Sequence, residues 1–231
     1  MPVDTVRKSQ TRAGARRASG RLSLGDEAYM RLEEMIVTLE LQPGTVFSEA
    51  DLSRKVRIGR TPLREALQRL QVQGLVRTLP RRGVVVSDVN IVDHLAVLET
   101  RRVLDRLVAA KAARRATPEQ RKLLEKTAKG MAVAAERGDM AGFMRLDTGF
   151  DRIVEAASRS AFALQAFVPL HAHCRRFWYF YRHNGDLKRA AELHSGLMHA
   201  VAAGDEQAAG AASDALVDYL EEFARIALDL V

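Results

Sequence analysis

The chain has 231 residues, enough for one or two domains with cores of their own, and its 47% hydrophobic content makes it globular rather than disordered. Its net charge of +7 is unevenly placed: residues 1–90 hold 16 Lys and Arg against 10 Asp and Glu, while residues 91–231 hold 20 against 19. The single cysteine, Cys174, excludes an intrachain disulfide, and no stretch approaches the run of about 20 apolar residues that spans a bilayer, so a cytoplasmic protein is expected.

Residues 1–24 set Arg7, Lys8, Arg12, Arg16, Arg17 and Arg21 among Ser, Gly, Thr and Ala, with almost no large apolar side chains. Such a segment cannot bury enough surface to order itself, so it reads as a basic tail, either simply solvated or tracking DNA, and it lacks the apolar core of a secretory signal. From residue 25, Tyr29, Leu32, Ile36 and Leu39 mark an amphipathic helix ending before the Pro43-Gly44 turn. Leu52 and Val56 give a short second helix, and Arg57 to Arg60 a compact turn in which Gly59 supplies backbone freedom. Thr61 suits an N-cap and Pro62 the first helical position; Leu63, Ala66, Leu67 and Leu70 then recur as one helical face.

The opposite face carries Arg64, Gln68 and the turn's Arg60, long donors suited to phosphates or to the acceptor edge of guanine. Gly74 closes the helix in a left-handed conformation, Leu75 to Thr78 read as a strand, Pro80 to Gly83 as a basic turn, and Val84 to Val86 as a returning strand. These are the parts of a winged helix-turn-helix. The Pro43-Gly44 turn, the run from Arg60 to Leu67 and the Gly74-Leu75-Val76 exit resemble the DNA-binding domain of the GntR family of bacterial transcriptional regulators. DNA contacts are therefore expected from Arg60, Thr61, Arg64 and Gln68, with Arg82 and Gly83 on the wing.

After Asp88 the texture turns to Ala, Leu, Arg and Glu with apolar residues every three or four positions, which predicts helices at about 91–115, 118–136, 140–157, 160–183, 187–203 and 206–229. Thr117-Pro118-Glu119-Gln120 is a capping box, and Gly138-Asp139, Asn184-Gly185-Asp186 and Gly204-Asp205 separate the rest, so short loops imply an antiparallel all-α bundle. The expected architecture is thus mainly α: a winged domain over 25–88, a linker over 89–95 with a hinge near 87–92, and a helical domain over 96–231.

Leu98 to Arg101, Leu104-Asp105, Leu146-Asp147, Leu193-His194 and Gly204-Asp205 are similar to the FCD effector domain of the FadR branch of that family. The resemblance implies a homodimer, a small organic or sugar acid as effector, and a divalent metal such as zinc or nickel inside the bundle. Family metal sites pair Asp-x-x-x-His with two later histidines; here Asp147 and His194 match, Asp151 stands at the i+4 position, and Leu216 falls where the last histidine would be, with Asp218 and Tyr219 nearby. Either Asp147, Asp151 and His194 hold an ion, or the carboxylates form a polar cluster neutralised by Arg and His side chains. Arg101 matches a family arginine positioned to meet an anionic ligand, the alternative being a salt bridge. Arg175, Trp178, Tyr181 and Arg182 on one helix face could clamp a carboxylate beside an aromatic wall, or serve as core or dimer interface.

An enzyme is not expected. Cys174 with His171 and His173 lacks an oxyanion hole and an orienting carboxylate, and no phosphate loop or metalloprotease motif occurs. The sequence reads as a ligand-responsive DNA-binding regulator, with an architectural DNA-binding protein whose helical half only dimerises as the alternative. The two-fold axis of such a dimer predicts an operator with inverted half-sites.

Overall fold

A computed structural model describes residues 22–228; the basic residues from Arg7 to Arg21 lie outside them. The winged part runs α1 (Leu24–Val37), β1 (Val46–Phe47), α2 (Glu49–Val56), α3 (Arg60–Val72), β2 (Val76–Leu79) and β3 (Gly83–Val86). The bundle follows as α4 (Ile91–Arg115), α5 (Pro118–Glu136), α6 (Met140–Ser158), α7 (Ala161–Phe180), α8 (Leu187–Ala203) and α9 (Glu206–Leu228).

In the winged part, α1 and α2 open with capping boxes, Ser23 with Asp26 and Ser48 with Asp51, each satisfying backbone N–H groups that a helix start leaves without partners. α1 begins inside the segment expected to be tail, and it stops at Val37. Leu39, expected on its apolar stripe, lies beyond the helix with φ 63°, and the fully buried Leu41 fills the core instead. The cap of α3 falls two residues before the expected Thr61: Gly59 is the N-cap, and its carbonyl accepts the first helical bond from Leu63 N–H. Pro62 is thus the third helical residue, still within the turn where a missing N–H goes unnoticed. The left-handed residue of the α2–α3 turn is Arg57 (φ 54°), whereas Gly59 has φ −65°. Gly74 does close α3 in the left-handed region, at φ 77°.

Leu63, Ala66, Leu67 and Leu70 bury one face of α3 against Leu32 and Ile36 of α1 and against Leu52 and Val56 of α2. The sheet has order β1-β3-β2, antiparallel throughout; Val46 faces Val85 across one pair, and Val76 faces Val86 across the other. β1 went unread in the sequence because two residues show no alternation.

Between Val86 and Ile91 only four residues link the two parts, fewer than the expected 89–95, because Asn90 caps α4 by accepting from the N–H groups of Val92 and Asp93. In the bundle α4 packs along α9 and α5 along α8 around a continuous apolar core. α7 ends at Phe180, not near 183, with Tyr181 as its C-cap. α7 also reaches out of the bundle: Ala172 lies fully buried among the winged-domain core residues. Among the described residues no helix is long and apolar enough to cross a membrane.

Candidate effector cavity and DNA-reading face

Two regions collect the functional side chains. On the winged part, Arg60, Thr61, Arg64 and Gln68 are all exposed on α3, opposite its buried face. Arg64 Nε donates to Glu49 Oε2 on α2 at 2.8 Å, which aims the guanidinium across the helix pair. Arg82 is exposed in the wing turn. Gly83 is half-buried with φ 116°, and a Cβ there would overlap the Phe47 carbonyl, so this glycine is required by packing between β1 and β3.

Inside the bundle, α4, α6, α7, α8 and α9 enclose a cavity of about 70 Å³, room for a few water molecules or a compact polar group. Arg101, Asp147, Asp151, Arg175, Trp178 and His194 all line it. Tyr181 is not brought there; it packs on Phe177 and Phe180. Arg182 stacks over Tyr179. Of the residues near the expected last histidine, Leu216 and Tyr219 line the cavity, whereas Asp218 pairs with Arg102 outside it.

The charged lining forms two networks. His194 Nδ1 donates to the Ala190 carbonyl at 2.7 Å and its Nε2 lies 3.1 Å from Asp147 Oδ1. Both partners are acceptors, an arrangement that favours the doubly protonated ring. Burial raises the Asp147 carboxyl, but the His194 contact outweighs it and brings the carboxyl down to about 2; burial lowers the His194 imidazole and the Asp147 contact lifts it above its ordinary value. In the second network Asp151 Oδ2 accepts from Arg175 Nη1 at 2.6 Å and pairs with His171 Nδ1 at 2.5 Å. Arg101 donates through Nε (3.0 Å) and Nη2 (2.7 Å) to Asp105 Oδ2. His171 Nε2 and Asp105 Oδ1 stand 3.7 Å apart, too far to bond, and neither has another partner. Burial lowers the His171 imidazole, and Asp151 lifts it above its ordinary value.

This donor set does not fit a divalent ion. Asp151 is covered by the Arg175 guanidinium, which repels a cation, and so does not join Asp147 and His194 as a third ligand. Among the described residues no group of three His, Cys, Asp or Glu side chains converges as a metal site. The expected trio of Asp147, Asp151 and His194 is therefore divided between two ion pairs. His171 and Asp105 were named in the sequence without a role in the cavity, and the aromatic walls Phe143, Phe150 and Phe167 were missed; the i+4 spacing of Arg101 and Asp105 and of His171 and Arg175 was the available signal.

The family profile for bacterial regulatory proteins of the gntR family matches residues 24–86, and that for the FCD domain matches residues 96–219. The chain belongs to the GntR family. It is a DNA-binding transcriptional regulator of the GntR type with an FCD effector-binding domain, not an enzyme. It is 30% identical over 144 residues to an uncharacterized HTH-type transcriptional regulator in the TAR-I ttuE-ttuC' intergenic region of Agrobacterium vitis, covering 61% of this chain and 82% of that one. It is 28% identical over 156 residues to the HTH-type transcriptional repressor RspR of Escherichia coli K12, 68% of each chain. Among solved structures, E. coli McbR/YncC superposes with a TM-score of 0.76 at 19% identity, over 90% of this chain and 97% of that one, a likeness of fold.

Proposed function

We propose that this GntR regulator is a cytoplasmic homodimeric repressor whose operator affinity is set by a small organic or sugar acid bound in the bundle cavity. The winged domain is the reading head and the FCD domain both dimerises and senses. The observation that carries the effector class is the charge inventory of the cavity. Arg101, Arg175, His171 and His194 oppose Asp105, Asp147 and Asp151, four basic side chains against three acidic ones, and the carboxylates beside both imidazoles favour their protonated forms. A buried charge excess is costly, and a carboxylate neutralises it while accepting from groups already aimed inward. Trp178 and Phe143 supply an apolar wall for the carbon skeleton. The repressor direction draws support from the likeness to RspR.

Each subunit sets α3 in a major groove through Arg60, Thr61, Arg64 and Gln68, with Arg82 following the backbone, and the dimer axis calls for inverted half-sites. The effector acts by population shift, favouring one placement of α7 and hence one spacing of the two reading heads. The test is operator binding at fixed salt with a panel of small carboxylates, each also screened by thermal shift. An acid that raises the melting temperature and weakens operator binding supports the reading. If no acid changes either, the helical half serves for dimerisation alone.

A further inference from the structure

A second and larger space, of about 430 Å³, lies on the other side of α7, where the bundle meets the winged domain. Its walls come from the turn after α3, the linker between β3 and α4, the first turns of α4, and α7. Arg176 is among the residues that line it. That residue is only 2% exposed, gives one N–H to the Ser87 carbonyl and leaves Nε without a partner; among the described residues it makes no ion pair. Burying a guanidinium with no counter-charge in contact is expensive.

The remaining charges sit differently. Asp88 and Asp93 are exposed at the rim, where water and salt screen them, and so is Arg77, which also lacks an ion pair among the described residues. The two imidazoles of the groove add no charge: burial brings His94, stacked on Phe177, down to about 3, and lowers His173, whose Nε2 donates to the Gln73 carbonyl at 2.7 Å. Burial also drags the Arg176 guanidinium down to about 10, with the Asp88 charge only partly opposing. The 25-residue α4 begins at the same space, adding the positive end of its dipole to the field there.

We propose that this interdomain groove is a second ligand site, distinct from the effector cavity, which takes a small phosphate-class oxyanion, free or as a phosphomonoester, between Arg176 and Arg77. The volume exceeds what inorganic phosphate fills, so a phosphomonoester with a small polar body fits the space better. An occupant there touches α7, the linker and the turn after α3 together, and so fixes the reading head on the bundle.

The experiment is calorimetric titration of the full chain, without DNA, with inorganic phosphate and separately with glycerol phosphate at constant ionic strength. One saturable site per chain is expected, weakened at least tenfold in Arg176→Gln and in Arg77→Gln. Arg77 is exposed, so its variant keeps the test alive if the buried substitution fails to fold. Tighter binding of glycerol phosphate identifies the phosphomonoester as the occupant, and equal binding identifies free phosphate. The assignment is overturned if no saturable site exists, if the site survives Arg77→Gln, or if it is lost with Arg64→Ala instead, which would place the anion on the DNA-reading face.

Discussion

Arg175 and Arg176 are consecutive on α7 and serve opposite sides of it: Arg175 reaches Asp151 in the bundle cavity, and Arg176 holds the Ser87 carbonyl at the foot of the winged domain. A step of about 100° per residue is what lets neighbours do this. Ala172 and His173, one turn earlier, dock on the winged domain, and His171 beside them faces the cavity. Any shift of α7 that a ligand causes at Asp151 is therefore felt within one helical turn by the reading head. Glu33 of α1 also lies close enough to support the charge on Arg175, so the field of the cavity extends into the winged domain.

Replacing Arg64 by Ala removes an exposed donor from α3 that the core does not use. Operator affinity is expected to fall by about 1 to 3 kcal/mol while the chain stays folded. Glu49→Ala frees the same guanidinium from its 2.8 Å partner, so it should change specificity more than stability. Titration of an operator fragment at fixed salt decides it, and unchanged affinity in Arg64→Ala removes that residue from the reading set.

The His194–Asp147 pair gives stability a pH window. The Asp147 carboxyl is held at about 2 against an ordinary 3.8, so its contribution is present above 3.8 and disappears as pH falls towards 2. The His194 imidazole is raised above 6.5, so its contribution is complete below 6.5 and is lost as pH rises through the raised value. Thermal melts should therefore be highest between about pH 4 and 6.5 on account of this pair, and Asp147→Asn should flatten both shoulders. The same deprotonation, together with that of His171, removes the positive excess of the cavity. Affinity for an anionic effector should thus decline with rising pH in the same range where His194 titrates.

Asp151→Ala leaves Arg175 and His171 side by side, buried and without their shared carboxylate. Breaking a buried pair by removing one partner costs about 3 to 5 kcal/mol. Urea denaturation measures this directly. A loss below about 1 kcal/mol would mean that Asp147 or water takes over as acceptor, which a double-mutant cycle with Arg175→Gln would reveal.

Periodicity and punctuation made the elements legible: six bundle helices and the two longer wing strands follow from apolar spacing, Gly breaks and caps. The failures are local and share a cause. Gly59 was read as the residue that gives the α2–α3 turn its backbone freedom, yet Arg57 bears the left-handed conformation, since Ile58 must turn inward and is buried there. Thr61 was read as a cap from residue type, but the cap is set by where the chain turns, and Gly59 offers its carbonyl there. In the cavity, Asp147, Asp151 and His194 were found as residues but not as pairs. Pairing depends on Arg175 and His171 of α7 reaching Asp151 and on His194 of α8 reaching Asp147, and the sequence separation of 20 or more residues hides that. Tyr181 was placed on the cavity face by extending α7 past Phe180, where the helix ends.

The wing sets a structural glycine beside an arginine proposed to contact DNA. Gly83 has φ 116° and sits against the Phe47 carbonyl, so Gly83→Ala forces both backbone strain and displacement of β1 from β3. A loss of about 1 to 3 kcal/mol in folding stability is expected from strain of this kind. Arg82 is exposed, with no packing role, so Arg82→Ala should leave the melt unchanged. It should instead weaken binding to operator and to unrelated DNA alike, and reduce the slope of log affinity against log salt by about 1, as the loss of one phosphate contact does. If Arg82→Ala lowers affinity only for the operator, the wing reads bases; if it changes neither, the wing stays clear of the duplex, and α3 with the turn before it carries the interface.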